Sequence, residues 1–325
     1  MGGLTATDFE LQKSIVDWQQ LLDKELIKVD QYIKQLVKVE TCDGESWILK
    51  QVEWPKQWAW WASIERELRA RDTINMPDFL FDGGGWMAIR YIDGRVCRYG
   101  QLEESLGAVK ALAQFHVSGY KLPVAPKKER PFLWSDRIRD RLYAFYNLLA
   151  TQNDFSGVFI FLAKYGQWFY EEGLRSWEKL SQISFAEHCF NSREVRNINH
   201  RDLASHNWLI DKQDQYWLID FDTADYDAPI GDLWQISSRI LCEHDWSEQV
   251  LEQILNTYES IRPLTTVERR LFYLLLAFPN EFYRESLTAA NMTDADMTKV
   301  DKRRCAYLQK LSEQRHKWQM LLKNL

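Results

Sequence analysis

The stretch INHRDLASHN, residues 198–207, decides the fold together with the segment that follows it. A short apolar run, a turn and the run YWLIDFD, residues 216–222, come next and predict a β-hairpin. A hairpin that folds back places Asn207 and Asp220, thirteen residues apart, at the same end of the sheet. Asp202 lies five residues before Asn207. We therefore expect the three side chains to converge.

This set of oxygen-bearing side chains suits phosphoryl transfer. The reaction needs a carboxylate to accept a hydroxyl proton, oxygen ligands for magnesium and a positive charge on the phosphates. Magnesium takes few protein oxygens and keeps water and phosphate oxygens for its other positions. We predict that Asp202 is the catalytic base and that Asn207 and Asp220 are metal ligands. Taken alone, Asp202 would instead be read as a helix cap or a turn residue.

The positive charge is expected from Lys50, which lies in WILKQV, residues 47–52. Its apolar neighbours predict a strand, and a lysine on a buried strand face is costly unless it has a partner. The predicted helix that follows offers two glutamates, Glu65 and Glu67. Either of them could turn toward Lys50 and hold it.

Hydrophobic periodicity predicts an α+β chain. Residues 7–28 have a helical period, and residues 31–94 read as β-β-α-β-β with a turn at Asp43-Gly44. From about residue 100 the pattern is mostly helical, apart from the hairpin at 208–222. The expected organisation is a helical extension (1–29), a small antiparallel sheet with one helix that binds nucleotide (30–95), and a large helical part with the catalytic loop, metal site and acceptor site (96–325).

Composition excludes several classes of protein. The net charge of −6 argues against a nucleic-acid-binding protein held by a basic surface. Five scattered cysteines, none in a C-x-x-C pair, argue against a disulfide framework or a zinc site and favour a reduced, cytoplasmic protein. The apolar runs fall short of the ~20 residues of a membrane span, so no membrane association is expected. The 15 tryptophans are expected mainly in the core.

Three ordered motifs resemble those of protein kinases. HRDLASHN is similar to the catalytic-loop signature, LIDFD to the metal-binding segment and WILK to the strand that carries the nucleotide-binding lysine. Only about ten residues separate Asp220 from PIGD, residues 229–232, which leaves no room for a long activation loop. The chain therefore resembles the aminoglycoside phosphotransferase and choline kinase group, which phosphorylates small molecules. Within that group it is most similar to the spore-coat-associated kinase-like proteins, through softer motifs such as LLLAFPNEFYRE, residues 274–285.

The resemblance implies a two-lobed protein-kinase-like fold and a site that uses ATP or another nucleoside triphosphate with Mg²⁺. It adds Asp222 to the metal ligands, because a second acid commonly follows in this group. It also favours Glu67 over Glu65 as the partner of Lys50, and it makes Asp232 a buttress of the catalytic loop. The expected partner is a small-molecule hydroxyl substrate.

One departure from the kinase pattern is serious. The strand pair that should cover the nucleotide contains no glycine between Val29 and Val39, and the triple glycine at 83–85 is in the wrong place. Two hypotheses therefore stand: a phosphotransferase, and a kinase-shaped structural or assembly protein whose partners are other spore-coat proteins. His200 and His116 are expected to be structural, and the role of Arg201 is open.

Overall fold

The computed structural model describes residues 6–33, 36–53, 55–71, 75–83, 85–127, 129, 131–152, 157–291 and 297–325. The chain divides into two compact units. Unit 1 comprises Met1–Cys97 and His206–Ala224, and unit 2 comprises Arg98–Ser205 and Asp225–Leu325. The elements in chain order are α1 (Ala6–Leu22), β1 (Leu26–Ile33), β2 (Leu36–Thr41), β3 (Ser46–Gln51), α2 (Pro55–Arg71), β4 (Phe79–Phe81), β5 (Trp86–Arg90), β6 (Gly94–Val96), α3 (Leu102–Ser118), α4 (Trp134–Thr151), α5 (Phe159–Gln182), α6 (Phe185–Glu194), β7 (Ile198–Asn199), β8 (Trp208–Asp211), β9 (Tyr216–Leu218), β10 (Asp225–Tyr226), α7 (Pro229–Glu243), α8 (Glu248–Glu259), α9 (Thr266–Leu276), α10 (Asn280–Ala290) and α11 (Met297–Lys323).

Unit 1 is built on an antiparallel sheet with the strand order β1-β2-β3-β5-β4. Alternation along β3 buries Trp47 and Leu49 on one face. Helix α1 packs there, with Trp18 meeting Trp86 edge to face at 5.1 Å between ring centroids. The hairpin turn before β3 contains Gly44 at a φ of 84°, a conformation that favours glycine. The predicted strand arrangement is confirmed.

The first helix is shorter than predicted. The helical period extended to residue 28, whereas α1 ends at Leu22 and β1 begins at Leu26. Asp23 adopts a left-handed φ of 52°, a conformation common at helix ends, and Leu26 then pairs with Thr41 in the sheet. Because Leu26 is apolar and lies four residues after Leu22, it satisfies a helical period and a strand equally well.

Unit 1 also contains a second, three-stranded sheet with the order β6-β8-β9. It holds the hairpin that was predicted at 208–222, and β6 extends it by pairing Gly94 with Asp211. Residues His206–Ala224, which include this hairpin, belong to unit 1. The short β6 escaped the sequence analysis because three exposed residues, Gly94–Val96, show no apolar alternation.

Unit 2 is mostly helical, and α7 lies at its centre. Every residue of α7 from Pro229 to Cys242 is buried, so its polar side chains must find partners inside the protein. Aromatic rings pack against it, because Trp234 of α7 lies edge to face with Trp134 at 5.8 Å and with Phe278 at 6.2 Å between centroids. The predicted α+β class, with an antiparallel sheet and a mostly helical remainder, is confirmed. The core role predicted for the tryptophans holds for Trp18, Trp61, Trp134, Trp208 and Trp234, which are fully buried.

Across the described residues, the helices are too short or too polar for any one of them to span a membrane. All five cysteines are free thiols.

Candidate active site

Lys50 points away from the buried side of β3. Its neighbours Trp47 and Leu49 face the core, and the side chain of Lys50 remains 30% exposed. The ammonium lies 2.5 Å from Asp222 Oδ2 and 3.9 Å from Asp220 Oδ1, all within unit 1. The lysine is therefore held by two carboxylates from the hairpin segment, and its Nζ lies 5.8 Å from the centroid of the Trp58 ring.

The expected pair between Lys50 and Glu67 is not present among the described residues. Helix α2 buries one face, and the glutamate on that face is Glu65, which is 9% exposed. Glu67 lies two positions further along, about 200° around a helix with 3.6 residues per turn. Glu67 therefore lies off the buried face of α2, and its role in nucleotide binding stays a prediction.

Glu65 has a different partner. Its carboxylate accepts a hydrogen bond from Arg69 Nε, one turn later on α2. Arg69 also donates to the carbonyl oxygens of Met76 and Pro77, at 3.2 and 2.6 Å. Burial raises the pKa of Glu65, and the Arg69 guanidinium opposes that shift. Glu65 therefore ties α2 to the segment that leads into β4.

Asn207 and Asp220 meet at one end of the hairpin, as predicted. Trp208 pairs with Leu218 in the β8–β9 ladder, and the Ile219 amide donates to the Asn207 carbonyl at 3.0 Å. Asn207 is 1% exposed. Asp220 has a left-handed φ of 66°, which turns the chain sharply after the strand.

Phe221 anchors the turn that carries Asp220 and Asp222. Its ring stacks on Trp61 of α2, with 4.1 Å between centroids. The two flanking carboxylates are left exposed, by 46% for Asp220 and 39% for Asp222. Because the Phe221 ring holds this short segment in place, Asp220 and Asp222 can stay exposed and contact a ligand.

The donor set in unit 1 fits a magnesium ion. Asp220 and Asp222 supply carboxylate oxygens and Asn207 an amide oxygen, which are hard ligands of the kind Mg²⁺ prefers. The Lys50 ammonium already lies against both carboxylates, so this place attracts a cation. Within the described residues no group of three or more His, Cys, Asp and Glu side chains is arranged to hold a metal, so a magnesium site here needs the amide and a ligand's own oxygens.

The segment that carries Asp202, the candidate base, lies in unit 2, and Asp232 supports its backbone. This buried carboxylate accepts the backbone N–H of His200 at 2.7 Å and that of Arg201 at 2.9 Å. Arg201 needs such support because its φ of 69° is a conformation that non-glycine residues rarely adopt. The buttress role predicted for Asp232 is confirmed.

Two histidines complete the support of the loop. His116 Nε2 lies 3.3 Å from Asp232 Oδ2, and its Nδ1 lies 2.6 Å from the hydroxyl of Tyr258. Burial lowers the pKa of His116, with Asp232 opposing the shift, so the ring is neutral near pH 7 with its proton on Nε2. His200 accepts the Asp202 N–H through Nδ1 at 3.3 Å. Both histidines are structural, as predicted.

Arg201 is also structural. It is 5% exposed, donates to the carbonyl of Phe132, and lies 3.7 Å from both Asp225 and Asp227. Asp227 in turn accepts the Trp134 N–H at 2.8 Å, and burial raises its pKa to about 7 although Arg201 pulls it down. The arginine of the loop thus fixes the start of α4.

Asp202 is the exposed acid of the loop, with 41% of its side chain accessible. The residue after it, Leu203, is buried and fixed on both sides, by Gln235 Oε1 at 2.6 Å and by the Tyr99 hydroxyl at 3.0 Å. Asp202 Oδ1 lies 3.6 Å from Nη1 of Arg239 on α7. A rigid loop with one accessible carboxylate is the arrangement that a general base requires.

Residues 30–271, well over half of the chain, match the sequence profile of the phosphotransferase enzyme family. The chain belongs to this family. An aminoglycoside phosphotransferase from Alicyclobacillus acidocaldarius has the same fold, with a TM-score of 0.75 at 15% identity over 94% of each chain. A choline kinase from Streptococcus pneumoniae aligns at 0.55 and 14% identity, over 94% of this chain and 99% of its own. A spectinomycin phosphotransferase bound to ADP and spectinomycin aligns at 0.60 and 14% identity, over 93% of both chains.

For this family member, sequence reasoning missed Arg239 beside the candidate base. It lies thirty-seven residues after Asp202, on a helix whose other residues read as core. It also missed Gln235, one turn earlier on α7 and also buried. A polar residue among the apolar residues of a helix that reads as core was the available signal, because such a residue needs a partner.

Proposed function

We propose that the protein transfers a phosphoryl group from ATP, or another nucleoside triphosphate, to the hydroxyl of a small molecule. The observation that carries the proposal is the Lys50–Asp222–Asp220 contact in unit 1, with Asn207 on the same hairpin. A lysine is the group that grips nucleotide phosphates in kinases, and the two acids with the amide are the ligands for the accompanying magnesium.

Each residue has one task in this reaction. Lys50 leaves its carboxylates and binds the phosphates. Asn207, Asp220 and Asp222 would hold Mg²⁺, which neutralises the charge that develops on the transferred phosphoryl group. Asp202, five residues before Asn207 in the chain, orients the acceptor hydroxyl and accepts its proton. The spectinomycin phosphotransferase of the same fold was solved with ADP and its acceptor, which supports a nucleotide and a small-molecule substrate.

The test is release of ADP by the purified chain. We expect turnover that requires magnesium, rises with an alcohol acceptor, and falls at least about a hundredfold in Asp202→Asn. Asp211→Asn is the matched control. This acid lies at the turn of the β8–β9 hairpin, where its Oδ1 accepts the backbone N–H groups of Gln213 and Gln215 at 2.9 Å. Turnover that survives in Asp202→Asn would remove Asp202 from the mechanism.

A second candidate function is a structural or assembly protein of the spore coat that acts with other coat proteins. The observation that favours it is the strand pair β1–β2, which holds no glycine from Leu26 to Thr41, whereas kinases cover the phosphates with a glycine-rich loop. Replacing Asp202 by Ala in an endospore-forming host separates the two: intact coat function supports this candidate, and its loss supports catalysis. In either case we propose a cytoplasmic protein, which in the second case is incorporated into the spore coat; five scattered cysteines without a C-x-x-C pair favour this location.

A further inference from the structure

Three arginines of unit 2 are linked by contacts to the segment that carries Asp202: Arg137 and Arg141 on α4 and Arg239 on α7. We call them the arginine group. Arg137 Nη1 donates to the carbonyl of Arg201, the residue before Asp202, at 2.8 Å. Arg141 Nη1 donates to Asn280 Oδ1 at the start of α10. The group is therefore in contact with the catalytic loop at one end and with α10 at the other.

A chain of contacts connects Asn280, the partner of Arg141, to Asp202, the candidate base. Asn280 Nδ2 donates to Glu281 Oε1 at 2.8 Å, and the same oxygen lies 3.5 Å from Arg239 Nε. Arg239 Nη1 then lies 3.6 Å from Asp202 Oδ1. Because Arg137 and Arg141 are four residues apart on one helix, they project from the same face on successive turns. The contacts thus lead from Asp202 through Arg239, Glu281 and Asn280 to Arg141. Arg137, on the same face of α4, contacts the residue before Asp202.

Two arginines of the group, Arg137 and Arg141, have no carboxylate paired with them among the described residues. Both donate hydrogen bonds to neutral oxygens. The buried Glu281, which acts on Arg141, is shared between Arg239 at 3.5 Å and Arg284 at 2.8 Å. The buried Asp227 and Asp232 act on Arg137 without pairing with it. Like charges at this spacing on a helix repel each other, so the arrangement costs stability.

Burial and neighbouring arginines disfavour the charged forms of Arg137 and Arg141. Burial, together with Arg201 and Arg141, lowers the pKa of Arg137 to about 9. Burial also lowers the pKa of Arg141 to about 10, with Arg284 and Arg239 adding to the shift and Glu281 opposing it. Nη1 of Arg239 is buried and donates no hydrogen bond. A carboxylate or phosphate would satisfy these donors, and guanidinium groups bind both in a fork geometry.

We propose that the arginine group binds an anionic group, a carboxylate or a phosphate, on the acceptor whose hydroxyl Asp202 activates. The inference rests on the proposed function and narrows its substrate class to anionic alcohols. A cationic acceptor would be repelled by the same three side chains. Arg239 also acts as a positioning residue, since it contacts Asp202 and the incoming anion would share it.

The test uses three probes with one carbon skeleton: glycerol, glycerate and glycerol 3-phosphate. Their binding to the full chain is measured by calorimetry in the Lys50→Ala variant. This substitution removes the lysine that is proposed to bind nucleotide phosphates, so that the probes do not bind there. We expect at least one anion to bind and glycerol not to bind. Binding of glycerate alone identifies a carboxylate acceptor, and binding of glycerol 3-phosphate alone identifies a phosphate acceptor.

Arg141→Gln should weaken binding of the anion by about tenfold or more. The matched control is Arg139→Gln on the same helix, because Arg139 is already paired with Asp136 at 3.1 Å and Asp140 at 2.8 Å. If Arg141→Gln does not fold, Arg141→Lys decides, since it keeps the charge and loses the fork. Equal binding of glycerol and the anions, an equal loss in Arg139→Gln, or unchanged affinity in a folded Arg141 variant would overturn the proposal.

A separate titration of the wild-type chain with Mg-ATP keeps the two proposals apart. Anion binding without Mg-ATP binding contradicts the phosphotransferase and leaves an anion site. Mg-ATP binding without anion binding contradicts only the anionic acceptor.

Discussion

Two acidic clusters of the molecule are built in opposite ways. Asp232 in unit 2 is fully buried and accepts hydrogen bonds from two backbone N–H groups, with His116 beside it. Asp220 and Asp222 in unit 1 are 46% and 39% exposed, and both lie within 4 Å of the Lys50 ammonium. The first cluster is a support that the fold depends on, whereas the second can exchange its partner.

The physical reason is the cost of removing charge from water. A buried charge that loses a partner costs about 3–5 kcal/mol, whereas an exposed ion pair contributes about 0–1 kcal/mol. Breaking the contact between Lys50 and Asp222 is therefore cheap, and a phosphate and a metal ion can take over both partners. The acids that shape the catalytic loop cannot be used in this way.

The largest effect is expected from Asp232→Ala. It leaves the N–H groups of His200 and Arg201 without their acceptor and removes the carboxylate beside His116. We expect the free energy of unfolding in urea to fall by about 2–6 kcal/mol, because each buried donor left unsatisfied costs about 1–3 kcal/mol.

The matched variant for this comparison is Asp222→Ala. It removes an acid of the same type that is exposed, so the free energy of unfolding should change by less than about 1 kcal/mol. Equal losses in the two variants would mean that the contrast between a supporting and an exchanging cluster is wrong.

A smaller effect is expected at α2. Glu65→Ala removes the acceptor of Arg69 from the buried face of the helix, which should cost about 1–3 kcal/mol of unfolding free energy. Glu67→Ala, off that face, should stay within about 0.5 kcal/mol of wild type. Denaturation of both variants decides which glutamate α2 depends on, and a larger loss in Glu67→Ala would contradict the assignment.

The smallest effect concerns the pH dependence of the buried cluster. Burial holds the pKa of His116 below its ordinary 6.5, so the unfolded chain takes up a proton before the native state does. Stability from this group is complete above about 6.5 and is lost as the pH falls below it. Measured from pH 7.5 to 5.5, the gap between wild type and His116→Gln should therefore narrow. Parallel unfolding curves at every pH would show that His116 does not titrate in this way.

The sequence predicted what depends on local pattern. The hairpin from Trp208 to Leu218 follows from its apolar runs and turn, and it brings Asn207 and Asp220 together. The loop motif likewise predicted that Asp232 supports the backbone. These features need no knowledge of how distant helices pack.

The features that depend on packing were not predictable. The choice of Glu65 over Glu67 depends on which face of α2 is buried, and a motif spacing does not fix that face. Arg239 contacts Asp202 because α7 runs through the centre of unit 2, and nothing near Arg239 in the sequence signals that contact. The boundary at Leu26 depended on a left-handed Asp23, a conformation that apolar periodicity does not report.

The most direct test of the central claim is a calorimetric titration of the full chain with ATP, with and without Mg²⁺, for wild type and Asp220→Asn. The account predicts that wild type binds ATP more tightly with Mg²⁺, and that Asp220→Asn loses this gain while unfolding at the same urea concentration. Binding that is independent of magnesium in wild type, or a magnesium gain that survives in Asp220→Asn, would contradict it.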